Sequence, residues 1–240
     1  MTDDLTRAID ALPVALAPQA APGTWECALR QLPTSGSVLN AGAGRGGLSW
    51  LLNRAGLSVT SVDLHPDHFM ADGLACGFAD LTHALPFPDA TFDAVLAVEV
   101  AEHLENPWSF LREAIRVLQP GGLLVFTSPN VVNLVSRFNY LRTGALPYFR
   151  SESFFGCYHV TPIFPWAVER WCTTASARLE STRYSRVDWP TAVDVPRYNN
   201  GGRVRRLKDL LPLNSLTGEI SCYTIRKVGR PSTDIGLHYS

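Results

Sequence analysis

Between residues 37 and 63 the chain reads SVLNAGAGRGGLSWLLNRAGLSVTSVD. An apolar run ends in a glycine-rich turn, a helical pattern follows, and a second apolar run stops on an acid. Val38 and Leu39 begin a short buried strand. Leu48, Leu51 and Leu52 recur at helical spacing, and Gly56 is a C-terminal cap. Residues 58–63 alternate and are rich in β-branched side chains. Strand, glycine turn, helix, strand and acid in that order make a pocket for the adenosine part of a cofactor. Glycines let the backbone turn tightly and approach a ligand, and the helix start presents free N–H groups. Asp63, about 20 residues beyond Gly42, is placed to accept both hydroxyls of a ribose.

The turn by itself fits two cofactor classes. Gly42, Gly44 and Gly47 spell G-x-G-x-x-G, the dinucleotide pattern. Gly42, Gly44 and Gly46 spell G-x-G-x-G, the pattern of S-adenosylmethionine sites. A nicotinamide-dependent oxidoreductase and a methyl-transfer site both remain open at this point.

The rest of the chain alternates in the same way. Residues 65–76 suit a short helix and 77–80 a third strand. Residues 85–89 (LPFPD) are a loop, and 92–98 a strongly apolar fourth strand. Residues 108–118 are helical, with Phe110, Leu111, Ala114, Ile115 and Leu118 on one side. Gln119-Pro120-Gly121-Gly122 stops that helix, and a fifth strand runs over 123–127. A helix over 164–175 and strands over 179–187 and 219–228 complete the pattern. The fold class expected is α/β: a Rossmann-like, doubly wound, mostly parallel seven-stranded sheet, with an insertion or lid between strands five and six. Residues 1–35 form a helical cap, 36–228 the main domain with an insertion over 128–162, and 229–240 a tail.

Composition removes several classes. The 240 residues carry a net charge of -1, which argues against a general nucleic-acid binder. The five cysteines (Cys27, Cys76, Cys157, Cys172, Cys222) are scattered and read as reduced thiols of a cytoplasmic protein. No apolar run approaches the roughly 20 residues of a membrane span, and the first residues lack the pattern of a signal peptide.

Five segments together resemble the class I S-adenosylmethionine-dependent methyltransferases, especially the small-molecule branch that includes ubiquinone-biosynthesis methyltransferases. They are VLNAGAGRGG, SVDLHP, the FADL ending the third strand, LPFPDATFDAVLAVEVAEHLENP and FLREAIRVLQPGGLLVFTSPN. The stretch SPNVVNLVSRFNYLRTG is similar to segments of methyltransferases from glycan-modifying pathways. The resemblance implies that the backbone from Ala41 through Gly42 to Gly44 holds the methionine portion of S-adenosylmethionine. Asp63 would bind the ribose, Leu64 would lie beside the adenine, Asp80 would accept from its amino group and Leu81 would line that slot. Glu99 would lie near the methionine end. Asn40 stands where the family usually has an acid, so it keeps a hydrogen bond but loses a charge facing the cofactor ammonium.

The segment Glu99-Val100-Ala101-Glu102-His103 follows the fourth strand. On a helix, Glu99, Glu102 and His103 would share one face. Three readings compete: Glu102 and His103 position the loop and cofactor site; His103 is a general base; or Glu99, Glu102 and His103 hold a divalent metal, as proposed for some ubiquinone O-methyltransferases that this segment resembles. His159, fixed by Val160-Thr161-Pro162, is the second candidate base, in a position where this branch often has a histidine facing the substrate. Phe138, Tyr140, Tyr148, Phe149, Phe154 and Phe155 make the insertion an acceptor wall or a satellite core. The basic cluster Arg197, Arg203, Arg205, Arg206 and Lys208 is a solvated face or meets an anionic or lipid-linked acceptor.

The reading is therefore methyl transfer from S-adenosylmethionine to a small hydroxylated metabolite, with a sugar or polysaccharide end and a quinone-like phenol as the two acceptor candidates. A nicotinamide oxidoreductase and a non-catalytic methyltransferase-like binding protein are the alternatives.

Overall fold

The structure is a computed structural model that describes residues 7–17, 20, 23–149, 158–185 and 214–229. Cys157, Phe154, Phe155, the basic cluster over 197–208 and the tail beyond 229 lie outside these residues.

Seven strands form one sheet: β1 Ser37–Ala41, β2 Ser58–Asp63, β3 Cys76–Phe78, β4 Phe92–Ala97, β5 Leu118–Pro129, β6 Ala177–Tyr184 and β7 Ile220–Lys227. Their spatial order is β3-β2-β1-β4-β5-β7-β6. The pairings among β1 to β5 are parallel, while β7 runs antiparallel to both β5 and β6. Helices α1 Thr24–Leu29, α2 Gly47–Arg54, α3 Pro107–Val117, α4 Leu134–Thr143, α5 Pro165–Thr174 and the short α6 Asn214–Thr217 accompany the sheet, with 3-10 turns at Val14–Leu16, Pro66–His68 and Ala101–His103. The Rossmann-like α/β expectation is met.

β1 is the pivot of the sheet. Val38 and Leu39 put apolar side chains on its two sides: Val38 packs into the cluster with Leu48, Leu52 and Ala94, while Leu39 packs into the opposite one with Val95, Phe110 and Leu111. A strand apolar on both faces must be covered on both. The chain leaves β1 for β2 on one side and returns to β4 on the other. The two loops that follow β1 and β4 therefore flank one crevice at the carboxyl ends of the strands, where open α/β sheets place ligands.

α3 shows how the local sequence sets an element. Asn106 caps it by accepting from the Ser109 amide, and Pro107 opens its first turn. Phe110, Leu111, Ala114 and Ile115 bury one face. Arg116, near its end, binds Glu113 and Asp89 and the carbonyls of Phe87 and Leu85, which fastens the LPFPD loop to the helix. The helix stops before Pro120. Leu118 already pairs with Phe92, and a register shift absorbs the Pro-Gly-Gly bulge before Leu123 pairs with Ala94. β5 thus begins earlier than the sequence pattern suggests.

The helix expected over 65–76 is reduced to a 3-10 turn over Pro66–His68. The insertion contains α4, which the sequence pattern did not mark. Its polar Ser136 and Asn139 are buried while Leu134, Phe138 and Leu141 are exposed, Phe138 at 69%. Both ends of the insertion are tied down. The Asn130 amide donates to the Glu219 carbonyl, and its side chain donates to the Ser215 and Gly218 carbonyls. At the other end Val160 and Thr161 donate their amides to the Glu102 carbonyl at 2.8 and 3.0 Å. Before the sheet, Ile9, Leu12 and Leu16 pack on Leu51 and Ala71. No helix among the described residues is long and apolar enough to cross a membrane.

Candidate active site

The glycine turn follows β1 and is bound to β2. The amides of Gly42 and Ala43 donate to the Val62 carbonyl at 2.9 and 3.0 Å. The Gly44 amide donates to Asp63 Oδ2 at 2.8 Å, and the His65 amide donates to Asp63 Oδ1 at 2.9 Å. One carboxylate therefore fixes the turn and the loop after β2 together.

The four glycines have separate duties. A Cβ on Gly42 would stand 2.4 Å from Val100 Cγ2. One on Gly46 would meet Phe69 at 2.6 Å, and one on Gly47 would meet the Leu16 carbonyl oxygen at 2.2 Å and Trp25 at 2.6 Å. These three are small because the protein packs against them. Gly44 has φ +53 and nothing within 4 Å of its added Cβ. It is the member of the turn that faces open space, with Asp63 beside it, and this is the place where the turn can admit a ligand. An adenosine-bearing cofactor fits these residues.

Asn40 is fully buried beneath the turn. Its Nδ2 donates to Ser49 Oγ at 2.9 Å, and Ser49 pairs with Ser61 at 2.8 Å. Asn40 thus belongs to a buried polar chain joining β1, α2 and β2. Ser49 and Ser61 were not among the expected site residues; a serine in each apolar run was the signal. At the end of β3, Asp80 accepts from the Thr82 hydroxyl and amide at 2.7 and 2.9 Å and faces His83 at 3.1 Å. These bonds hold its carboxyl below the usual range, the Thr82 hydroxyl contributing most. Leu81 is buried and Leu64 is exposed, the latter beside Asp63.

The segment after β4 does not continue as an α-helix. Glu99 sits at φ 54, and only Ala101–His103 forms a 3-10 turn. Glu99, Glu102 and His103 consequently do not share one helical face. Thr127 takes Glu99 instead: its hydroxyl donates to Glu99 Oε1 at 2.8 Å and lies 2.9 Å from the Glu99 amide, for which it is the acceptor. Desolvation pushes the Glu99 carboxyl up to about 7, against the lowering effect of Thr127. Thr127 was missed in the sequence because nothing in LLVFTSPN distinguishes it from strand filler.

Glu102 is 0% exposed, and neither carboxylate oxygen has a hydrogen-bond partner among the described residues. Burial raises its carboxyl well above the ordinary value. Its main-chain carbonyl, by accepting from Val160 and Thr161, draws residue 159 to the same place. The His103 and His159 rings meet edge to face with centroids 4.7 Å apart. Phe149 and Tyr148 stand against His159 at 5.5 and 6.3 Å. Burial lowers His159 to about 4 and lowers His103 as well, so both rings are neutral near neutral pH. Among the described residues, one ligand atom each of Glu102, His103 and His159 lie within 4.8 Å of one another. The two candidate bases are therefore neighbours, and His159 stands in the cluster where Glu99 was expected.

The two halves touch through Val100, which rests on Gly42 and lies between Glu99 and Glu102 in the chain.

Comparison with known proteins agrees with this architecture. Residues 39–126 match the family model described as a methyltransferase domain. Demethylmenaquinone methyltransferase of Tropheryma whipplei is 33% identical over 130 residues, 52% of this chain and 51% of that protein. The 2-methyl-6-phytyl-1,4-hydroquinone methyltransferase of Synechocystis sp. is 36% identical over 110 residues, 42% of this chain and 35% of that protein. The chain thus spans about half, or less, of the length of these curated relatives. The solved structure of an S-adenosylmethionine-dependent methyltransferase from Archaeoglobus fulgidus superposes with a TM-score of 0.57 at 17% identity, over 83% of this chain and 89% of that one. The sheet is that of the class I S-adenosylmethionine-dependent methyltransferases. Within it, residues 39–126 are the part that matches the methyltransferase-domain model.

Proposed function

We propose that this protein transfers the methyl group of S-adenosylmethionine to the oxygen of a small hydroxylated acceptor, and that the acceptor is a quinol-like phenol. The contact between Val100 and Gly42 supports this reading, because the loop that bears His103 is seated on the turn that would hold the cofactor, and His103 meets the ring of His159. Two relatives bear names of quinone-type methyltransferases, and aromatic rings stand about His159; both favour a phenol over a sugar.

S-adenosylmethionine supplies an activated methyl on a positively charged sulfur. The acceptor oxygen gives up its proton, forms the new O–C bond, and the electron pair of the broken C–S bond stays on sulfur as a neutral thioether. The protein's part is to align the oxygen and exclude water. A neutral imidazole at His159 or His103 offers a lone pair for the phenolic proton.

Calorimetry with S-adenosylhomocysteine and NADH tests the cofactor, and labelled S-adenosylmethionine with a hydroquinone, a catechol and a hexose tests the acceptor. Binding of the first ligand only, with label in a methyl ether of the phenols, is the expected result. Label in the hexose would move the acceptor to sugars. Cofactor binding with no transfer would make the protein a binding module, and NADH binding without S-adenosylhomocysteine binding would overturn the reading.

A further inference from the structure

Cys27 and Cys222 come from opposite ends of the sequence and meet where the cap helix lies on the sheet. Cys27 is on α1 and Cys222 on β7, and both pack in the apolar cluster that contains Val38, Leu48 and Val125. Each thiol is the other's hydrogen-bonding neighbour. Cys222 is fully buried, whereas Cys27 is half-buried at the rim of the cluster. The register of β7 decides what surrounds the pair. Cys222 stands opposite Arg183 of β6 and opposite Thr127 of β5. Directly paired residues present their side chains on one face, so an arginine shares the face on which the two thiols meet.

We infer that Cys27 and Cys222 are a peroxide-sensitive dithiol, which closes to a disulfide and fastens the cap helix to the sheet. Cys27 is the sulfur placed to react first. The Cys222 thiol donates to it, and this bond, with Arg183 and Arg30, holds Cys27 below its ordinary value of 9.0 against burial and Glu26. A partly accessible thiolate beside cationic groups is the reactive form of cysteine. The other described cysteines lack that setting. Burial pushes Cys76 up to about 11, with Asp63 adding to it, and burial pushes Cys172 up to about 11, with Glu169 adding to it. Cys222 is pushed up by its bond to Cys27 and by burial, so it keeps its proton until its own turn comes.

The chemistry takes two steps. The Cys27 thiolate attacks one oxygen of hydrogen peroxide; an S–O bond forms as the O–O bond breaks, and the departing hydroxide takes up a proton as water. The Cys222 sulfur then attacks Cys27; the S–S bond forms as the S–O bond breaks, and the second hydroxide leaves as water with the Cys222 proton. Two electrons pass from the sulfurs to the peroxide. A sulfenic acid beside a resolving thiol condenses in this way. The bridge would act on more than α1. Trp25, on the same helix, stands 2.6 Å from where a Cβ on Gly47 would lie, so this helix backs the glycine turn. The bridge also closes a loop containing most of the chain, which removes freedom mainly from the unfolded state. It is independent of the functional reading above and involves neither candidate base.

Reduced wild-type protein treated with hydrogen peroxide, then alkylated and digested, tests the pair by mass spectrometry. The expected product is a linked Cys27–Cys222 peptide, with an intact mass lower by two hydrogen atoms, and dithiothreitol reverses both. The urea midpoint of the oxidised protein should lie above that of the reduced protein. Cys27→Ser, checked for folding by far-UV circular dichroism, should show no such difference, while Cys76→Ser should keep it. Oxidation that falls first on any other cysteine, or that stops at a Cys27 sulfinic acid with Cys222 unlinked, overturns the dithiol. So does the absence of any reaction. A bridge that forms and leaves the midpoint unchanged or lower overturns the fastening of the cap.

Discussion

Val100 Cγ2 lies 2.4 Å from the position a Cβ on Gly42 would occupy, so the loop after β4 is seated directly on the glycine turn after β1. Gly42 also has φ +76. Gly42→Ala therefore meets two penalties, a left-handed backbone and a displaced Val100. A loss of about 2–3 kcal/mol is expected, read as a lower urea midpoint together with lost S-adenosylhomocysteine binding. An unchanged midpoint would show that the loop gives way without cost.

Gly44→Ala should separate stability from binding. Its φ is +53, but nothing stands near the added Cβ. The expected stability loss is only about 1 kcal/mol, while S-adenosylhomocysteine affinity falls at least about tenfold because the methyl group enters the ligand's space. Wild-type affinity in calorimetry would place the ligand elsewhere.

Asp63→Ala removes the acceptor of two main-chain amides, those of Gly44 and His65. Each such bond to a charged group is worth about 1.5–3 kcal/mol. The variant should lose stability and at least about tenfold in S-adenosylhomocysteine affinity, whereas Asp80→Ala, whose carboxyl serves a local Thr82 turn, should change the urea midpoint little.

The glycine-turn strands, both faces of β1 and the α3 core face were legible in the sequence because each follows from one short window. Gly46 and Gly47 were ambiguous in the motif for a physical reason: what forbids a side chain at each is Phe69, Leu16 or Trp25, none of which belongs to the turn. The trio at the histidines was only half visible. Glu102 and His103 are adjacent, but His159 joins them through main-chain bonds across the insertion. The expected shared helix face over 99–103 failed because Glu99 adopts a positive φ, with both its amide and its carboxyl bonded to Thr127. α4 escaped notice because its buried face is polar.

Thr127→Val tests that bond. Thr127 is fully buried and serves both the amide and the carboxyl of Glu99. The near-isosteric change leaves two groups without a partner, for an expected cost of about 2 kcal/mol, measured as the shift in urea midpoint. Thr127→Ser should recover most of it.

Asp93 gives a pH-dependent term. The Ser37 amide and hydroxyl bind its carboxylate at 2.8 and 2.9 Å, and the amide, the larger cause, with the hydroxyl holds it below its ordinary value of 3.8. A depressed folded value means the stabilisation is present above 3.8 and fades as pH falls through the folded value. Between pH 6 and pH 3 the urea midpoint of Asp93→Asn should fall less than that of the wild type. Parallel curves would assign the acid sensitivity to other carboxylates.

The insertion is anchored to the rest of the domain at both ends. Asn130 is locked to the loop before β7, and Val160 and Thr161 are locked to Glu102. A replacement of the chain between these anchors that keeps Tyr158 and His159, which contact His103, should therefore leave the sheet and the glycine turn in place. A single scaffold of this kind can be re-addressed to new acceptors by replacing one cassette, and a chimera that carries a relative's segment between the same two anchors is the natural unit of exchange.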